Sequence, residues 1–246
     1  MPELRLDITT ADGLADSFLA LPDGEPRGGV LFLIDAYGLR PRIEEMARRI
    51  AAEGYVVLAP NLFYRAGRAP VLEMPDFKDS ESREAFMARV KPLMGQLSPA
   101  AMASDGAAYL DALAEQAPGR AALDGYCMGG RLGWRIATAH PGRVAALACF
   151  HTGGLVTDAP DSPHRSAPEL PDRELYFGFA DQDKSMTAEQ IGELERVLDA
   201  AGATYTSEVY PGAAHGYTMA DTAAYDEAAS ERHFGALLAL LERRLD

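Results

Sequence analysis

Short apolar runs alternate along this chain with segments of helical period, and that alternation limits the folds open to it. Val30-Leu31-Phe32-Leu33-Ile34 is an unbroken apolar run rich in β-formers, the pattern of a strand covered on both faces. Ile43, Met46, Ala47 and Ile50 then recur at helical spacing, with Glu44, Glu45, Arg48 and Arg49 opposite them and Gly54 as a stop. Residues 55–59 form a second buried-strand run that Pro60 ends. Residues 61–97 carry Pro70, Pro75 and Pro92 with weak periodicity, and an irregular excursion is expected there. Ser98-Pro99 is a cap and first-turn pair that opens a helix through Met102, Tyr109, Leu110 and Leu113.

The second half repeats this grammar. Strands are expected at 121–124, 144–150, 174–180 and 204–210, and helices at 129–139, around Ile191 to Leu198, and along the stripe from Phe234 to Leu245. Such alternation argues for an α/β fold with a mainly parallel central sheet and helices on both faces. Residues 4–8 and 17–21, flanking Asp12-Gly13, read as an antiparallel hairpin at one edge. No composition break, linker or internal repeat divides the sequence, so a single domain over 1–246 is expected.

With 37 acidic against 23 basic residues, the net charge of −14 disfavours phosphate backbones and anionic lipid surfaces. The first residues lack the charged and apolar regions of a secretion leader, and no apolar stretch approaches the ~18 residues of a membrane helix. A cytoplasmic protein is expected, and without an extra apolar helix face, a monomer. Two cysteines, Cys127 and Cys149, cannot build a disulfide framework, and no CxxC or Cys/His cluster offers a metal site. A cysteine that matters here matters as a thiol.

Gly125-Tyr126-Cys127-Met128-Gly129-Gly130 lies between an expected strand and an expected helix. It has the glycine pattern of a nucleophile elbow, G-x-S-x-G, with cysteine in the serine position. Glycine is needed on both sides because strand and helix backbones nearly touch around a strained turn. The helix start also places free N–H groups and its positive dipole end beside the sulfur. With 23 glycines in 246 residues, chance would put glycine at both flanking positions of either cysteine in roughly 2% of such chains. Cys149 lies inside an apolar strand without such glycines and reads as core.

A cysteine nucleophile needs a base, and the base an orienting acid; in strand-helix grammar these follow the nucleophile, acid first. His215 sits just beyond the expected strand 204–210, in Pro211-Gly212-Ala213-Ala214-His215-Gly216-Tyr217. His140, His164 and His233 read as packing or surface residues, and His151 as a residue able to line a cleft. After strand 174–180, Asp181 and Asp183 compete as the acid; Asp183 is favoured, because the first loop residues usually complete the turn.

These residues resemble the dienelactone hydrolase family, enzymes of the α/β-hydrolase fold that open lactones and cleave esters through Cys, His and Asp. The resemblance runs over nearly the whole chain, through Asp35-Ala36-Tyr37-Gly38-Leu39-Arg40, Ala59-Pro60-Asn61-Leu62-Phe63, the Cys127 elbow, Asp183 and the His215 segment. It implies Cys127 as nucleophile, His215 as base, Asp183 as its orienter, and the N–H groups of Ala36 and Met128 as the oxyanion hole. No metal or organic cofactor is implied. Tyr37, Arg83 and Tyr217 are expected at the substrate.

The sequence departs from the family pattern in two respects. Asp35 stands where a glutamate accepts the thiol's proton; being one methylene shorter, it either still reaches Cys127 or only shapes its loop. Gly216 and Met219 stand where a serine and a carboxylate-binding arginine are expected, so Arg83 is either a substitute anchor or a solvated charge. The expected activity is hydrolysis of a small ester or lactone, with two alternatives: a carboxylesterase for neutral esters, or a non-catalytic ligand-binding or thiol-sensing protein.

Overall fold

The computed structural model describes residues 2–170 and 172–246. Eight strands form one sheet in the order β1-β2-β4-β3-β5-β6-β7-β8. They are β1 (Glu3–Thr10), β2 (Gly13–Ala20), β3 (Gly28–Leu33), β4 (Tyr55–Pro60), β5 (Ala121–Tyr126), β6 (Val144–Phe150), β7 (Glu174–Gln182) and β8 (Thr204–Ala214). β2 pairs antiparallel with β1 and with β4, and every later pairing is parallel. The edge hairpin and the parallel core therefore agree with the sequence pattern.

The helices are α1 (Pro41–Ala52), α2 (Ser80–Gly95), α3 (Pro99–Ala114), α4 (Met128–Ala139), α5 (Ala188–Ala200) and α6 (Glu227–Leu245). Residues alternate across the sheet as strand geometry requires. Leu33, Leu123 and Leu147 meet α4 where Gly133 leaves room for them. On the opposite face Tyr126 and Phe150 pack on His233 of α6, and Phe32 stacks on Tyr126. Both faces are thereby covered, which is why the parallel strands read as unbroken apolar runs.

One expectation is corrected. Part of segment 61–97 is regular: α2 starts at the Asp79 cap, whose carboxylate accepts from the N–H groups of Glu81 and Ser82. It escaped the periodicity test because it buries only Phe86 and Val90 and carries Pro92 inside it.

Chain order reverses beside β3, with β4 on one side of it and β5 on the other. The carboxyl ends of β3 and β5 thus flank a crevice at a topological switch point, where open α/β sheets place ligands.

Candidate active site

β5 ends at Tyr126 and α4 begins at Met128, leaving Cys127 as the whole turn between them. Cys127 has φ 55° and ψ −115°, a strained conformation for a residue with a Cβ. Close packing explains the glycines around it. A Cβ on Gly125 would lie 2.5 Å from Gly130 backbone atoms, and one on Gly129 would lie 2.1 Å from the Leu33 carbonyl oxygen. The second approach seats the start of α4 on the end of β3, two residues before Asp35. Met128, as the first helical residue, has an N–H with no intrahelical acceptor.

A hydrogen-bonded chain of neutral groups lies under the elbow. Tyr126 bridges Asp124 Oδ2 at 2.9 Å and His233 Nε2 at 2.8 Å, and His233 Nδ1 donates to the Ser230 carbonyl at 2.7 Å. Burial pushes His233 down to about 3 and Asp124 up to about 8. Cys149, also in the core, has its thiol pushed up by burial.

β7 and β8 deliver the partners. Their pairing ends at Gln182 opposite Ala214, so Asp183 and His215 leave the sheet side by side. His215 Nδ1 donates to Asp183 Oδ2 at 2.6 Å, while Asp183 Oδ1 accepts from the Ser185 N–H at 2.8 Å and from its hydroxyl at 2.6 Å. Asp181 is exposed and accepts from the Gly212 N–H instead, so Asp183 is the carboxylate at the imidazole. Burial opposes the His215 cation, but hydrogen bonds to Asp183 and Cys127, with their charges, raise its pKa to about 10. Burial likewise opposes the Asp183 anion, yet the His215 and Ser185 bonds hold its pKa below the usual carboxylate value.

Cys127, His215, Asp35, Tyr37 and Arg83 line one cavity of about 170 Å³, with Phe77, His151, Gly216, Met219 and residues 222–224 completing its walls. Tyr37 is wedged between Phe77 and Phe86, with ring centroids 5.5 and 5.1 Å away. Arg83 is exposed at the rim, and its Nη1 donates to the Phe77 carbonyl at 2.8 Å. Ala36 is half-buried between Asp35 and Tyr37. His151 is 1% exposed, with φ 39°; its Nε2 lies 2.8 Å from Thr218 Oγ1, and its ring meets His215 edge-on at 5.3 Å. Burial, then the charges of His215 and His233, push the His151 pKa well below its ordinary value.

Tyr217 does not reach the cavity, contrary to expectation. After Gly216, at φ 94°, the chain turns inward; Tyr217 is fully buried, and its hydroxyl donates to the Gly178 carbonyl at 3.1 Å. Asp35 lines the cavity, but both its oxygens accept from Arg40, and Oδ1 also accepts from the Tyr37 N–H. Arg40 belongs to the same short motif as Asp35, and an arginine so close to a carboxylate is the sequence signal that could have found the pair. Its second partner, Asp221, lies 181 residues away and had no local signature. Among the described residues, no group of three or more His, Cys, Asp or Glu side chains is arranged to hold a metal ion.

A strand–turn–helix elbow around Cys127 at the switch point of a mostly parallel sheet, with a bonded aspartate and histidine beyond the ends of β7 and β8, is the arrangement of an α/β hydrolase. The dienelactone hydrolase family model matches residues 15–245, and the chain belongs to that family. It is 30% identical over 212 residues to an Escherichia coli (strain K12) protein named "Putative carboxymethylenebutenolidase", covering 82% of this chain and 72% of that one. It is 26% identical over 189 residues to the "Carboxymethylenebutenolidase" of Rhodococcus opacus, covering 76% and 69%. A Klebsiella pneumoniae structure named "Putative Dienelactone Hydrolase" superposes with a TM-score of 0.84 at 22% identity, over 98% of both chains. At that identity the superposition speaks for the fold. Family membership makes the protein a hydrolase. No helix among the described residues is long and apolar enough to cross a membrane.

Proposed function

We propose that the protein hydrolyses a small carboxylic ester or lactone through Cys127, His215 and Asp183. The observation that carries this reading is the strained Cys127 sharing one small cavity with a histidine already bonded to a carboxylate. His215 takes the thiol's proton at Nε2 as the sulfur attacks, since Nδ1 is committed to Asp183, and the bond to Asp183 favours the imidazolium so formed. The sulfur attacks the carbonyl carbon, and the oxyanion is held by the N–H groups of Ala36 and Met128. His215 protonates the departing alkoxide as the C–O bond breaks, leaving an acyl-thioester. Water, deprotonated by His215, then attacks the thioester; the C–S bond breaks, the acid leaves, and the released Cys127 sulfur takes its proton back from His215.

Substrate size and charge follow from the walls. About 170 Å³ is close to the volume of an engineered cavity that takes one benzene ring, on the order of 150 Å³. Tyr37, Phe77, Met219, Ala223 and Ala224 make those walls largely apolar, and Arg83 is at the rim. With a net charge of −14 as well, a neutral ester or lactone suits the site better than an anion. The reading includes a cytoplasmic monomer that needs no cofactor.

The test compares a neutral nitrophenyl ester with an anionic dienelactone on wild type, Cys127→Ala and His215→Ala. Loss of turnover on the order of 10³-fold is expected in both variants, and a higher kcat/KM for the neutral ester in wild type. Undiminished turnover in either variant defeats the triad. Preference for the anion reassigns Arg83 as a carboxylate anchor. Stoichiometric labelling of Cys127 by iodoacetamide without turnover of any ester would favour a thiol sensor.

A further inference from the structure

Arg40 is 5% exposed, yet all five of its N–H donors are used. Nη1 and Nη2 donate to Asp35 Oδ1 and Oδ2 at 2.7 and 3.0 Å. On the guanidinium's other edge, Nε and Nη2 donate to Asp221 Oδ2 and Oδ1 at 2.6 and 3.1 Å. The fifth hydrogen goes from Nη1 to the Gly38 carbonyl at 3.1 Å. Such two-edged bidentate pairing fixes orientation as well as charge.

The two carboxylates belong to different segments around the cavity: Asp35 lines it, and Asp221 directly precedes the lining residues 222–224. Asp35 precedes Ala36 and Tyr37 after β3, while Asp221 lies in the segment that runs from His215 through Met219 to Ala224. Arg42, at the start of α1, adds a second tie to the segment after His215, donating through Nη2 to the Thr218 carbonyl at 2.7 Å. With Arg40 on both its oxygens and the Tyr37 N–H on Oδ1, Asp35 is already engaged where it faces the thiol.

We propose that Arg40 is a positioning residue: by clamping Asp35 and Asp221 it ties the Ala36 loop to the segment after His215 and withholds Asp35 from the thiol's proton. The proposal rests on the assignment of Cys127 and His215 above. It separates this chain from an arrangement in which the carboxylate after β3 serves the sulfur directly. Here that carboxylate serves the loop, and the sulfur is left to His215.

The titratable groups around Asp35 are Arg40, Asp221, Tyr37 and Cys127, with His215, His151 and Arg83 elsewhere on the cavity wall. Burial raises the Asp35 pKa and the Arg40 charge opposes that rise, so removing Arg40 leaves a buried carboxylate with no counter-charge.

The experiment measures kcat, KM and the pH dependence of kcat/KM for a neutral nitrophenyl ester in Arg40→Met, Asp35→Asn, Asp221→Asn and Arg40→Met/Asp35→Asn. Arg40→Met is expected to lose kcat on the order of 10²-fold, the scale of a misplaced donor. Its profile should gain an ionisation that the double variant lacks, which a purely structural role would not produce. Asp221→Asn should lose kcat by about tenfold with KM little changed, and Asp35→Asn should lose no more than that, since a lost proton acceptor costs about 10² or more. The proposal is overturned if Asp35→Asn loses 10²-fold and one limb of the pH profile, or if Asp221→Asn matches wild type. Should Arg40→Met fail to fold, these two single variants decide. Retained activity in Cys127→Ala would instead defeat the underlying assignment, and is read separately.

Discussion

Asp124→Asn should stabilise the protein at neutral pH, although it alters a fully buried polar chain beneath Cys127. The direction of the hydrogens decides this. The Ser230 carbonyl can only accept, so His233 Nδ1 carries a hydrogen, and a neutral His233 then has a bare Nε2. The single hydroxyl hydrogen of Tyr126 goes to that nitrogen, which leaves Asp124 as donor to the tyrosine oxygen and therefore protonated. Its pKa of about 8, raised by burial from 3.8, says the same. Between those values the folded state holds a proton that the unfolded chain has released, so stability falls as pH rises from about 4 to about 8 and levels off above. A carboxyl raised that far is worth about 6 kcal/mol, of which roughly 4 are lost by pH 7. Asparagine donates an amide hydrogen to Tyr126 in the same sense and never ionises. Urea unfolding, followed by fluorescence of the single, buried Trp134, should show the variant near wild type at pH 4 and about 4 kcal/mol more stable at pH 7. A difference that does not change with pH refutes the neutral chain.

Two further substitutions probe the site. Gly125→Ala brings a Cβ to 2.5 Å from backbone atoms of Gly130, which cannot rotate aside as a side chain would. The elbow must open by roughly 1 Å, so ester turnover should fall on the order of 10²-fold and stability by about 1–3 kcal/mol; wild-type kinetics and melting would show that the turn is not closely packed. Asp183→Asn should lower kcat by about 10²-fold or more, because the His215 orientation and charge depend on it. Asp181→Asn, which keeps an acceptor for the Gly212 N–H, should stay within about twofold of wild type; equal losses would place the two carboxylates in one role.

The sheet and elbow were legible because each leaves a local trace. Buried parallel strands must be apolar on both faces, as residues 30–34 and 144–150 are, and the elbow must carry glycine wherever backbones touch. α2 left no such trace, since a helix that buries two residues has almost no apolar face. Tyr217 shows a different limit. Its closeness to His215 in sequence says nothing about side-chain direction once Gly216 turns the chain, and the tyrosine packs instead against Tyr210 and His151 with its hydroxyl on the Gly178 carbonyl. The Arg40–Asp221 contact spans 181 residues and depends on how two loops meet, which no window of sequence contains.

Three aspartates near the top of the sheet show how environment sorts one residue type into separate roles. Asp124 lies deepest, is bonded only through Tyr126, and keeps its proton to about pH 8. Asp35 is nearly as buried, but Arg40 supplies the charge that burial opposes, at the cost of occupying both carboxylate oxygens. Asp183 is buried beside a histidine whose own side chain is 34% exposed, and it is held anionic by His215 and Ser185. Only the last couples to a group with a nitrogen left over. Asp124 is protonated and Asp35 already accepts three hydrogen bonds, so in the proposed mechanism a proton leaving Cys127 has His215 Nε2 as its acceptor. That ground supports His215 as the proposed base, together with its place after the strand.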